Sequence, residues 1–133
     1  MIVVDTNVLA YSLIEADKTE LALRVAERDP QWVVPQVWRH EFLNVLATCT
    51  QHGLLDLAEA SRLWQQADRR LRPAERPVSM AAALRLATES RISAYDAQYV
   101  TLARQLRVTC VTEDHSLLRA FPGVAVSMLG FCG

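Results

Sequence analysis

The chain has a single lysine, three cysteines and no apolar run long enough to cross a bilayer, and each shortage narrows what it can be. Cys49, Cys110 and Cys132 form an odd set with no CxxC spacing, which suits neither a disulfide framework nor a thiolate zinc site. They read as buried or incidental free thiols. His40, His52 and His115 are scattered without ligand spacing, so surface or capping roles suit them better than metal binding. The longest apolar stretches fall far short of the ~20 residues a membrane span needs. The residues after Met1 form no basic and apolar leader, so the expectation is a soluble, cytoplasmic protein with no membrane partner. Internal repeats and low-complexity tracts are absent as well.

What the sequence does have is core-forming material. With 51% hydrophobic residues, 133 residues suffice for one compact domain over 1–133. The net charge of −1 is unusual for a protein that handles polyanions. That balance changes if four of the 15 acids gather in a metal site, because 14 basic groups then face 11 acidic ones. Thirteen of those basic residues are arginine, which favours bidentate phosphate contacts.

Short apolar runs alternate with longer helical patterns, which predicts an α/β fold around a mostly parallel sheet. Strands are expected at 2–4, 32–34 and 107–112, with weaker candidates at 77–79 and 124–129, giving about five. Helices are expected over 7–14, 18–28, 36–52, 57–71, 80–90, 94–106 and 115–120. Asp17 to Glu20 and Asp56 to Glu59 both have capping-box spacing, and "RRLRPAERP" at 69–77 reads as a connection between helix and strand.

Four acids stand where burial is expected. In "VVDTN", Asp5 follows the first strand directly, at the end where open α/β sheets form their ligand crevice. In "VTEDH", a second apolar strand ends in Thr112, Glu113 and Asp114. On a wheel of about 100° per residue, Glu41 falls within the apolar arc of Val37, Trp38, Phe42, Val45 and Leu46. Asp96 lies at the edge of a core face formed by Tyr95, Tyr99, Leu102 and Leu106. Each acid also has a structural reading. Asp5 or Thr6 can cap a helix, as can Asp114; Glu41 can pair with an arginine; Ser93 and Asp96 have capping-box spacing. Four such explanations are needed at once, however. Carboxylates gathered in one crevice repel each other unless protons or cations intervene. Oxygen ligands without histidine or cysteine select hard ions, Mg²⁺ or Mn²⁺.

The four motifs "VVDTNVL", "EFLNVL", "AYDAQYVTLAR" and "TEDHSLL" resemble, in order and spacing, the PIN-domain nucleases, and among them the VapC-type toxins of bacterial toxin–antitoxin pairs. The resemblance spans nearly the whole chain. It implies a three-layer α/β/α fold and a metal-dependent endoribonuclease using Asp5, Glu41, Asp96 and Asp114 as catalytic and metal-binding acids. Thr6, Asn7 and Thr112 match supporting polar positions, and Glu113 competes with Asp114 for the last place in the cluster. It further implies an RNA substrate, a cognate antitoxin and a homodimer. Arg39 and Arg91, beside the acidic motifs, are candidate phosphate contacts. Other acid-pocket folds fit less well. A receiver domain needs a lysine after a late strand, and a haloacid-dehalogenase-like phosphatase needs an acid where Asn7 stands. The alternative from a different class is a non-catalytic module holding a basic peptide or RNA in its acidic crevice.

Overall fold

A computed structural model describes residues 1–133. Strands β1 (Ile2–Val4), β2 (Trp32–Val33), β3 (Cys110–Val111) and β4 (Ala125–Val126) form one all-parallel sheet in the order β2-β1-β3-β4. The helices are α1 (Thr6–Leu13), α2 (Thr19–Arg28), α3 (Trp38–Gln51), α4 (Leu57–Leu71), α5 (Met80–Ser90), α6 (Ala94–Leu106), α7 (His115–Ala120) and α8 (Met128–Cys132). A single 3-10 turn occupies Arg72–Ala74. No helix is long and apolar enough to cross a membrane.

Every residue of β1 is buried, as a central parallel strand covered on both faces requires. The two-residue period of a strand sorts them. Ile2 and Val4 join Trp32, Val34 and Val111 in a core with α1 to α4, while Val3, Val33 and Cys110 pack against Tyr99, Leu102 and Ala103 of α6. Helices therefore cover both faces, and the expected α/β/α architecture is present. The three tryptophans belong to this packing: Trp38 stacks on Trp64 at 5.5 Å, and Trp32 lies under the Arg70 guanidinium at 4.2 Å.

From β1 the chain enters α1 on one face of the sheet, whereas from β3 it enters α7, whose Leu117 packs on the other. Neighbouring strands whose exits diverge leave a crevice at their carboxyl ends. Asp5 and the Thr112–Asp114 turn flank that crevice.

The sheet has four strands rather than five. Residues 77–79 form no strand, because Pro77 has no N–H to donate and the side chain of Gln105 serves this backbone instead. Gln105 accepts from the Ser79 N–H at 2.7 Å and donates to the Pro77 carbonyl at 3.2 Å. The only pairing with β2 here is the isolated bridge Val34–Glu75. The last expected strand ends early, since Ser127 caps α8 by accepting from the Gly130 N–H. At 107–112 the strand is shortened by Arg107, which closes α6 in the left-handed region at φ 58°. Asp17 caps nothing: α2 starts at Thr19 without a side-chain cap, while Asp56 and Glu59 form the full reciprocal box on α4.

Candidate active site

Asp5 caps α1 and also faces the crevice. Its Oδ1 accepts from the Thr6 N–H at 2.7 Å, and its Oδ2 accepts from the Thr112 hydroxyl at 2.8 Å and the Asn7 amide at 3.4 Å. Only 4% of the residue is exposed. Burial pushes its carboxyl from 3.8 to about 7; the Thr112 hydroxyl opposes the rise, and the charges of Glu41 and Asp96 add to it. The capping role and the site role thus coexist in one side chain.

Glu41, in the first turn of α3, is half-buried. Its Oε1 accepts from the Tyr99 hydroxyl at 2.7 Å and the Thr6 hydroxyl at 3.1 Å, and those two hydroxyls lie 2.6 Å apart. Burial raises its carboxyl, the Tyr99 and Thr6 hydroxyls oppose that rise, and Asp96 adds to it. Asp96 sits in the first turn of α6, whose N-cap is Ser93. Its carboxyl is raised by burial and by the negative charge of Asp114, against the Ser93 hydroxyl. Asp114 caps α7 through one oxygen, accepting from the Ser116 and Leu117 N–H groups at 2.8 and 3.2 Å.

The four expected acids thus form one electrostatic group, each close enough for its charge to act on a neighbour. None of them has a cationic partner. All five ion pairs of the molecule lie elsewhere: Met1–Asp29, Lys18–Glu113, Arg24–Glu20, Arg39–Glu75 and Arg72–Asp68. The arginine partner considered for Glu41 is absent.

Glu113 leaves the cluster by its side chain. One oxygen accepts from Lys18 at 2.9 Å and the other from the Met128 N–H at 2.9 Å. Its backbone N–H still serves the site, donating to the Asn7 carbonyl oxygen at 3.2 Å. Thr6 donates to Glu41, and Asn7 and Thr112 donate to Asp5. Arg39 is committed elsewhere, gripping Glu75 through both Nε and Nη2. Arg91 ends α5 with φ 55°, exposed and without an ion pair.

Tyr99 is the site residue that pattern reading placed only in the core. It is fully buried, yet its hydroxyl joins Thr6 to Glu41. The signal was available, since a buried tyrosine hydroxyl needs a partner and Tyr99 lies three residues after Asp96 on one helix. Tyr95, assigned to the same core face, is instead 60% exposed.

Fold and site together define an α/β/α sandwich with an uncompensated acidic crevice at its switch point. More particularly, the chain belongs to the PIN domain family, whose model matches residues 2–121. PIN domains are in general nucleases that use divalent metal ions. The crystal structure of PAE2754 from Pyrobaculum aerophilum shares the fold, with a TM-score of 0.77 and 23% sequence identity over 98% of this chain and 92% of that one. No curated protein matches the chain.

No three His, Cys, Asp or Glu side chains come together as a ready-made chelating group. A hard ion such as Mg²⁺ keeps several waters and takes only one or two carboxylates together with substrate phosphate. Oxygen donors, a buried carboxyl pushed to about 7 and the lack of any guanidinium or ammonium at the four acids all fit such an ion.

Proposed function

We propose that this protein is a Mg²⁺- or Mn²⁺-dependent endoribonuclease of the VapC type, the toxin of a toxin–antitoxin pair acting in the cytoplasm. One observation carries the reading: the charges of Asp5, Glu41, Asp96 and Asp114 act on one another, while all five ion pairs of the molecule are made by other acids. A group of that kind is stabilised by a bound divalent cation.

Asp5 and Asp96 would hold the ion. When bound, it supplies an activated water, neutralises charge at the phosphate and stabilises the leaving oxygen. Asp5 is fixed for this task by Thr112, Asn7 and the Thr6 N–H, so little reorganisation is needed. Glu41, oriented by Tyr99 and Thr6, positions the attacking water and can take its proton. Asp114 keeps one oxygen outside its helix-capping bonds and would lend it to holding the ion. Arg91, free of any carboxylate, is the one of the two arginines left available for a phosphate.

A cognate antitoxin would block the crevice with a segment bearing arginine or aromatic residues, and the active form is a homodimer. The test is RNA cleavage by rigorously purified protein, with Mg²⁺ or Mn²⁺, with chelator, and with Asp5→Asn, followed by sequencing of the RNA ends. Metal-stimulated cutting lost in Asp5→Asn supports the nuclease. Cutting that persists in Asp5→Asn refutes the assignment of Asp5. The same uncompensated charge would also hold a basic peptide, and absence of cleavage across structured and single-stranded RNA favours that second reading.

A further inference from the structure

A second recess opens on the same rim, on the β2 side of the acids. It is a groove of about 270 Å³ lined by Gln36, Arg76, Pro77, Val78, Met80 and Gln98. Topology fixes its place. Gln36 follows the carboxyl end of β2, and the Arg76 N–H donates to the Val34 carbonyl at 3.0 Å, so the segment runs beside that strand. β2 is the immediate neighbour of β1. With strands ~4.8 Å apart, the groove lies about two strand spacings from Asp5. It is also mechanically tied to the acids, because Val78 packs on the cluster of Val37 and Tyr99, and the Tyr99 hydroxyl reaches Glu41.

Its chemistry is unspent. Gln36 is exposed and its amide has no protein partner. Gln98 uses its Nε2 on the Ala94 carbonyl at 3.3 Å, leaving its carbonyl oxygen. The Arg76 guanidinium donates only to the backbone carbonyls of Pro73 and Glu75 and meets no acid. Met80 is 65% exposed. Tyr95 does not line the groove but lies one helical turn before Gln98 on α6, next in sequence to Asp96, and is 60% exposed with its hydroxyl unbonded.

Amides with both donor and acceptor character, a flat aromatic ring, an apolar floor and one guanidinium are what recognition of an unstacked base uses. A site for phosphate alone would have no use for two glutamines and an exposed tyrosine. We propose that this groove, with Tyr95 as stacking face and Gln36 and Gln98 as readers of the base edge, binds an unpaired nucleobase of the RNA beside the scissile phosphate. The assignment rests on the nuclease reading for its substrate and adds to it the residues that contact a base.

The test separates the two ideas. Binding of single-stranded and blunt duplex oligoribonucleotides is measured by fluorescence anisotropy in chelator, for the wild type, Tyr95→Ala, Tyr95→Phe, Gln36→Ala and Gln98→Ala. Base stacking on an aromatic corresponds to about 5- to 150-fold in affinity. Tyr95→Ala should lose single-stranded binding by that factor and Tyr95→Phe should keep it, with duplex binding unaltered in both. The glutamine variants should flatten the preference among homopolymers and, with metal, spread the mapped cleavage sites. Wild-type affinity in Tyr95→Ala, an unchanged base preference in both glutamine variants, or no single-stranded binding by the wild type overturns the subsite. Binding through Tyr95 without any metal-supported cutting overturns the nuclease reading and leaves the subsite standing.

Discussion

Two glutamates meet helix α3, and they differ in every respect that matters. Glu75, at the β2 edge, is clasped by Arg39 and accepts from the Trp38 indole N–H at 2.7 Å; the Arg39 hydrogen bonds hold its carboxyl below the usual range. Glu41, two residues beyond Arg39, receives only neutral hydroxyls, and burial pushes its carboxyl up. The edge is an ion pair closed on itself. The rim is a set of charges left open. Residue type is the same in both places, so what separates structure from chemistry is whether a cation is already at hand.

The strongest way to break this contrast is Asp5→Asn. Turnover should fall more than about 100-fold, beyond the ceiling typical of losing a residue that merely supports a metal ligand. Thermal unfolding should show no loss of stability, because a neutral side chain removes a buried charge and Asn still accepts from the Thr6 N–H.

Tyr99→Phe comes next. It deletes the hydroxyl between Thr6 and Glu41, so kcat should drop roughly 10- to 100-fold by the same reasoning about supporting residues. Stability should fall by about 1–2 kcal/mol in denaturant melts, the cost of leaving buried polar groups short of a partner. An unchanged pH–rate profile in this variant would count against a role for Glu41 in the reaction.

Glu113 and Asp114 sharpen the comparison within one turn. Asp114→Asn should slow cleavage roughly 10-fold while Glu113→Gln stays near the wild type, since the Glu113 side chain is turned to Lys18 and Met128. Reversed outcomes would move Glu113 back into the cluster.

The smallest effect is on stability against pH, and rim and edge act in opposite senses. Asp5 has its carboxyl raised from 3.8 to about 7, so the folded protein holds a proton that the unfolded chain has released. Its charged form costs stability progressively as pH rises above 3.8, fully so beyond about 7, and Glu41 and Asp96 are raised in the same sense. Glu75 and Asp29 are lowered, and their contribution is lost as pH falls below their ordinary values of 4.5 and 3.8. Calorimetry should therefore find Tm highest near about pH 5 and lower by a few degrees at about pH 8. Mg²⁺ should restore the alkaline side, and Asp5→Asn should flatten it.

Much of this was legible in the sequence because it is local. The run "IVVD" announces a buried strand ending in an acid, and Glu41 stands out on an apolar arc whose Trp38, Phe42 and Leu46 are indeed buried. Capping at Asp56 follows from a three-residue spacing. What escaped depends on contacts between distant segments. Lys18 meets Glu113 across 95 positions, and Gln105 takes over the backbone of 77–79 from across the α5–α6 connection. The Tyr99 hydroxyl finds its use 58 positions away at Glu41. Tyr95 and Tyr99 share a helical stripe, yet Tyr95 is mostly exposed while Tyr99 is fully buried.

The oxygens of Thr6, Tyr99 and Glu41 form a triangle with sides of 2.6, 2.7 and 3.1 Å. Three edges require three hydrogens, and two hydroxyls bring only two. With Glu41 ionised, one edge must set lone pair against lone pair; a hydrogen retained on Glu41 completes the ring. Both hydroxyls can spend their hydrogens on Glu41, which leaves the Thr6–Tyr99 edge without one, so this corner of the molecule is built around the carboxylate and not around the two hydroxyls.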